Sequence, residues 1–341
     1  MVALAGTTPT AGRTRVHVFV VGGPRLRHPA LPIVPGVRTG GYLPCDLCGA
    51  SDPVLVLESP RLDGPLVRCR NCRLLYVGSR RQDFSFASAD AERSSALADR
   101  VAELELVRPE VEDAERPWRL RADRRRLARL RGHVPGGRLL DVGCATGMFL
   151  ALAGAEFEAE GVEPDPGTSE QARASGNRVI TGTLETLAGR SERYDAVTMF
   201  HVLEHLRSPR DALQLVRELL RPGGVVMIET PTIDCAAFKL ARSRWRQLIP
   251  DHYYFFSRAT LETLLRRCDL MPVECATVRR EVSLRFLADR LRRAGVPLAG
   301  QLQRPLRALG LADRTATVRP GDVMTVIARR AEGAPAGLRD R

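Results

Sequence analysis

The chain has 341 residues, 44% hydrophobic and 27% charged, which is ample for a full-sized core, outside the disordered range and long enough for about two domains. Its net charge of +12 invites a nucleic-acid reading, but the 52 basic residues include a single lysine, Lys239, a bias of codon usage rather than of phosphate contacts, so nucleic acid is not the expected partner. No apolar stretch approaches the roughly 20 residues of a membrane span, and residues 16–21 are too short for a signal-peptide core, so a cytoplasmic protein is expected.

Residues 1–40 carry Arg13, Arg15, Arg25, Arg27 and Arg38 and no acid. They are rich in Gly, Pro and Thr without sustained periodicity, and read as a disordered basic tail. Residues 41–82 hold two Cys-x-x-Cys knuckles, Cys45 with Cys48 and Cys69 with Cys72, separated by twenty residues. That spacing suits a tetrahedral Zn2+ site, with Gly49 after the first knuckle where a sharp turn is needed. Residues 54–58 and 66–69 read as short strands of a ribbon. Disulfides or unrelated thiols are the alternatives, and without a secretion signal zinc is preferred. Four thiolates leave no open coordination position, so the expected role is structural. Cys144, Cys235, Cys268 and Cys275 are scattered and read as buried or incidental.

Residues 83–132 are charged and helix-prone and form the expected linker. Its last part, 116–131, sets Trp118, Leu120, Leu127 and Leu130 among arginines. That pattern fits either a phosphate- or lipid-binding helix or, preferably, a helix packed against the next domain with a solvated face.

From residue 133 to about 330 strands and helices alternate, the mark of a doubly wound α/β sheet. A short apolar strand runs through Asp141 into a bend with Gly143, Ala145 and Gly147, followed by an apolar helix. The glycines let the backbone approach a ligand at the strand's carboxyl end. Glu163, twenty residues after Gly143, closes the second strand, where a carboxylate can accept hydrogen bonds from a ribose diol. Asp141, two residues before the first glycine, has the wrong sign for a pyrophosphate and the right one for a cationic ligand.

These residues resemble the class I S-adenosylmethionine-dependent methyltransferases. Residues 139–147 look like the family's first motif, with Ala145 in place of its middle glycine, and Glu163 matches its ribose-binding acid. Residues 181–185 resemble the adenine-side loop, with Thr183 where the family often has an acid. The H-x-L-E-H segment, His201 to His205, is similar to that of one branch, and residues 221–224 match the turn before the fifth strand. The resemblance implies a seven-stranded Rossmann-like sheet with a reversed last strand. It also implies S-adenosyl-L-methionine as methyl donor, held by Asp141, Gly143, Ala145, Gly147, Glu163, Thr183 and Phe200. Ribbon and sheet together resemble bacterial enzymes of secondary metabolism, including sugar C-methyltransferases.

The acceptor is then expected to be a small biosynthetic intermediate such as a sugar, polyketide or lipid-linked compound. RNA methylation and cofactor binding without transfer are the alternatives. His201, His252 and Glu204 are the candidate catalytic residues, since a hydroxyl, amine or activated carbon must lose a proton. Tyr253, Tyr254 and Phe255 could wall the acceptor. The H-x-L-E-H segment also resembles the E-x-x-E-H metal segment of some quinone O-methyltransferases, which implies His201, Glu204 and His205 as a divalent-metal set, the same residues being able to pack and cap without metal. Helices capped by Ser208 and Ser257 are expected to turn Leu213, Val216 and Leu220, and Leu261, Leu264 and Leu265, inward. The insertion at 279–320 reads as a lid over the acceptor or as a peripheral membrane contact. Residues 331–341 read as a disordered tail. Oligomeric state is left open.

Overall fold

The computed structural model describes residues 42–79, 109–293 and 299–332. The expected tail over 1–40, the first part of the expected linker and nearly all of the expected tail after 330 lie outside them. Three short strands come first, β1 (Val54–Leu57), β2 (Leu66–Arg68) and β3 (Leu75–Val77), as an antiparallel meander. Helix α1 (Pro109–Arg131) follows. The chain then runs β4 (Gly137–Val142), α2 (Met148–Ala153), β5 (Phe157–Glu163), α3 (Pro166–Ala174), β6 (Val179–Thr181) and β7 (Tyr194–Phe200). It continues through α4 (Pro209–Leu219), β8 (Leu220–Pro231), α5 (Ala236–Ala241), β9 (Tyr254–Phe255), α6 (Arg258–Arg267) and β10 (Leu270–Thr277). An arm with β11 (Arg280–Ser283), α7 (Leu284–Arg293), α8 (Gln303–Ala308) and β12 (Thr315–Val318) leads into β13 (Val323–Arg330).

The central sheet has the order β10-β13-β8-β7-β4-β5-β6. The pairs around β4, β5, β7 and β8 are parallel, and β13 runs antiparallel to both its neighbours. This is the expected doubly wound sheet with its reversed last strand. Its middle strands are covered on both faces, so Leu139 and Leu140 in β4 and Val225, Val226 and Ile228 in β8 are wholly buried. The caps follow the sequence. Ser208 Oγ accepts from the Asp211 N–H at 3.1 Å with Pro209 in the first turn, and Ser257 and Thr260 form a reciprocal capping box. Leu213, Val216, Leu220, Leu261, Leu264 and Leu265 are all buried as expected, although Leu220 opens β8 instead of closing the helix.

The ribbon is continued by a strand from far along the chain. Strand β9 pairs with β3, Leu75 opposite Phe255 and Tyr76 opposite Tyr254. Asp46, inside the first knuckle, accepts from Ser208 Oγ at 2.7 Å and from the Arg210 N–H at 2.9 Å, capping α4 from outside. Tyr253, Tyr254 and Phe255 therefore lie in the core beneath the ribbon, at most 4% exposed, instead of walling an acceptor site.

Helix α1 packs against the sheet through Leu127 and Leu130. Its arginines face carboxylates: Arg121 and Arg125 bond Glu281 of the arm, Arg129 reaches Glu274 and Arg131 reaches Glu156. This is the packed-helix alternative, and it also roots the arm on α1. Among the described residues no helix is long and apolar enough to cross a membrane.

Candidate active site

Strand β4 ends at Val142 and the chain bends through residues 143–147 into α2. Gly143 (φ 69°) and Gly147 (φ 77°) hold left-handed conformations. A Cβ on Gly143 would stand 2.6 Å from Val202 Cγ2, and one on Gly147 2.5 Å from Asn177 Nδ2. Both glycines are thus required by backbone and by space. Ala145 takes a left-handed φ of 48° with its methyl exposed, so it keeps the bend of the glycine it replaces.

Glu163 closes β5 beside this bend. Its carboxylate accepts the Ala145 N–H at 2.9 Å and the Asp165 N–H at 3.1 Å, which ties the bend to the second strand. The remaining lone pairs stay available to ribose hydroxyls. Thr183 is half-buried just before the turn Leu184–Leu187. Phe200, half-buried at the end of β7, packs edge-on against Phe149 at 5.0 Å, with the Arg126 guanidinium 4.4 Å from its ring centroid. Asp141 lies a layer lower than its place in the motif suggests. It is buried, accepts from Thr198 Oγ1 at 2.6 Å, and burial pushes its carboxyl up to about 7. Of the two acids it is Glu163, not Asp141, whose carboxylate meets the bend directly. Changing Glu163 to Gln removes a charged acceptor from both backbone and ribose, and should weaken cofactor binding by about 10- to 100-fold in calorimetry. Unchanged affinity would remove Glu163 from the cofactor set.

The exit of β7 carries the second half of the site. His201 has a φ of 57°, a left-handed conformation rare outside glycine, fixed by its N–H donating to the Glu229 carbonyl at 2.7 Å. The imidazole is 38% exposed and lies between two buried carboxylates, with Nδ1 3.3 Å from Glu204 and Nε2 3.5 Å from Glu229. Burial works against a charge on His201, but the two carboxylates outweigh it and raise its pKa above the ordinary histidine value. Glu204 accepts from Thr230 Oγ1 at 2.9 Å. Burial would keep its carboxyl protonated, yet His201 and His205 bring it down to about 2. Glu229 is gripped by both arms of the Arg126 guanidinium, which also reaches Asp123 at 2.8 Å. Once His201 is protonated, charges alternate from Asp123 through Arg126, Glu229 and His201 to Glu204, each compensating the next.

His252 is placed elsewhere. It is buried, its Nδ1–H donates to the Gln247 carbonyl at 2.8 Å, and its ring packs edge-on against His205 at 4.6 Å. Burial, followed by the charge of His205, brings it down to about 4. His205 is held in turn by Asp251 at 2.9 Å. Among the described residues outside the ribbon, the group with spacing suited to a metal is Glu204 with His205 and His252, whose ligand atoms lie within 4.8 Å of one another. His201 stands outside that group, unlike in the trio drawn from the motif.

Sequence reasoning missed Glu229 and Arg126. Glu229 had a signal, because it ends the apolar run of the fifth strand as Glu163 ends that of the second. Arg126 had only its neighbour Asp123 one turn earlier, and its target lies 103 residues away.

Residues 112–275 match the family described as a methyltransferase domain. The match starts in α1, ends in β10 and leaves out the ribbon and the arm. The ubiquinone biosynthesis O-methyltransferase of Cereibacter sphaeroides is 33% identical over 153 residues, covering 41% of this chain and 62% of the relative. The tRNA U34 carboxymethyltransferase of Azotobacter vinelandii is 31% identical over 154 residues, covering 42% and 48%. The chain thus spans about three fifths or less of these relatives. A crystal structure of a SAM-dependent methyltransferase from Thermotoga maritima overlaps 64% of this chain and 95% of its own at 19% identity, with a TM-score of 0.44.

Proposed function

We propose, from the premise that residues 112–275 form a class I S-adenosylmethionine-dependent methyltransferase domain, that this protein methylates a small biosynthetic intermediate with His201 as general base. One contact carries the reading. Gly143 in the cofactor bend lies against Val202, the residue after His201, so the only space for a Cβ there is already filled by the exit of β7. Bend and imidazole share the carboxyl edge of adjacent strands.

S-adenosylmethionine supplies the methyl group on a sulfonium, whose departure as a neutral thioether needs no acid. The bend and Glu163 would hold this cofactor. The other requirement is removal of a proton from the acceptor. Neutral His201 carries one unprotonated ring nitrogen that can take the acceptor's proton on the exposed side of the imidazole, and the carboxylates of Glu204 and Glu229 favour the protonated product. Arg126 keeps Glu229 ionised and in place, which makes it a positioning residue.

The four-cysteine cluster of the ribbon is read as a structural zinc site. Cys45 Sγ lies 3.4 Å from Cys72 Sγ, and Cys48 Sγ 3.4 Å from Cys69 Sγ. Those separations are far beyond the ~2.05 Å of a disulfide and near the ~3.8 Å expected of thiolates on one zinc. Gly49 and Arg73, each directly after a knuckle, both take left-handed φ, 76° and 70°.

Calorimetry tests the cofactor half of this reading. Heat is expected from S-adenosylmethionine or its demethylated product and none from NADH, and the reverse result would end it. The Azotobacter relative keeps tRNA as a second acceptor class. A gel shift with a steep dependence on salt would favour it over a small molecule.

A further inference from the structure

Strands β8 and β10 both run antiparallel to β13, so both end at the same edge of the sheet, the edge that bears the cofactor bend and His201. Each gives rise to a further element, α5 within the family match and the arm beyond it. Helix α5 follows β8, and the arm follows β10. The chain leaving β8 and the chain returning from the arm into β13 are tied where they meet, because the Thr232 N–H donates to the Asp322 carbonyl at 3.0 Å and Arg246 Nε to the Asp322 carboxylate at 2.6 Å. Two leucines stand out at their tips: Leu240 on α5 is 84% exposed and Leu309, just after α8, is 69% exposed.

The charge around these leucines has one sign. Residues 236–249 contain no acid, and residues 299–320 contain only Asp313, which pairs with Arg285 at 3.4 Å. Lys239 and Arg242 flank Leu240, while Arg304 and Arg307 precede Leu309, all four exposed and without a carboxylate partner among the described residues. An exposed leucine flanked by unpaired cations suits the boundary of an anionic bilayer, where the side chain enters the acyl region and the cations meet headgroups. RNA would use the cations and leave the leucines without a partner, and the described residues of this rim offer no exposed aromatic for base stacking.

We infer that α5 and the arm form a rim that seats the protein on an anionic lipid surface with the active-site edge facing the membrane. The acceptor is then one that resides in or at the bilayer. This last step rests on the methyltransferase reading of that edge; the docking itself does not.

The test is sedimentation of the full chain with vesicles of phosphatidylcholine alone or mixed with phosphatidylglycerol. Partition is expected into the mixed vesicles, weakening as salt rises from roughly 0.1 to 0.5 M. The double variant L240E/L309E should lose about tenfold or more of that partition, since each change replaces an inserted apolar side chain with a repelled one. Its heat of S-adenosylmethionine binding should be unchanged, which shows an intact fold. Equal partition of the variant would place binding elsewhere on the chain and overturn the rim. So would absence of partition, or competition for the rim by RNA at equal salt. A chain that binds vesicles through these leucines yet takes up no S-adenosylmethionine would keep the docking and discard the methyltransferase reading.

Discussion

If the ribbon cysteines hold zinc, as proposed, a chain with serine at Cys69 is expected to lose both the metal and its cooperative thermal transition. The apparent binding energy of a structural zinc, about 10–16 kcal/mol, is as large as the whole stability of an ordinary domain, about 5–15 kcal/mol. The loss would not stop at the ribbon. Leu47, Leu66 and Tyr76 belong to the same packed cluster as Val197, Leu213 and Phe255 of the methyltransferase fold. Two backbone bonds then lead inward, from the Val77 N–H to the Tyr253 carbonyl at 2.8 Å and from the Tyr253 N–H to the Glu204 carbonyl at 2.9 Å. Elemental analysis and thermal denaturation of wild type, C69S and chelator-treated protein would check this. A metal-free chain that melts as the wild type does would reduce the four cysteines to ordinary core residues.

Exchange of His201 for asparagine should leave cofactor affinity nearly unchanged and lower turnover by about 10²- to 10⁴-fold, the usual worth of a positioned base. The pH profile gives a sharper readout. A base works when unprotonated, and the neighbouring carboxylates raise the pKa of His201, so activity should rise with pH along a limb centred above the ordinary 6.5. The conservative change E204Q removes one of the two raising charges and keeps a group of the same shape beside Thr230. It should shift that limb toward lower pH. A limb that stays put in E204Q, or turnover that survives in H201N, would mean that His201 serves the backbone turn and not the proton.

What could be read in the sequence was what depends on neighbours in the chain. The bend at Gly143 and Gly147, the acid at Glu163 and the caps at Ser208 and Ser257 each follow from a few consecutive residues, and the structure has each in that form. Strands β3 and β9 were not legible, because segments of three and two residues have no period of their own and exist through pairing across most of the chain. The same distance hid Arg126 beside Glu229. For His252 the sequence showed an aromatic cluster but not that Tyr254 and Phe255 would pair with the ribbon and His252 would be buried against His205.

The short pairing of Tyr254 and Phe255 with the ribbon constrains how this protein is inherited and matured. The family match keeps β9 but leaves its ribbon partner outside, so a fragment cut at those borders would display a bare strand edge that invites self-association. The amino-terminal knuckles are thus no interchangeable accessory. Any substitute module would have to offer the same edge to Phe255 and the same carboxylate as Asp46 to the start of α4. If the four cysteines hold zinc, as proposed, scarcity of metal during synthesis would limit the yield of the whole chain.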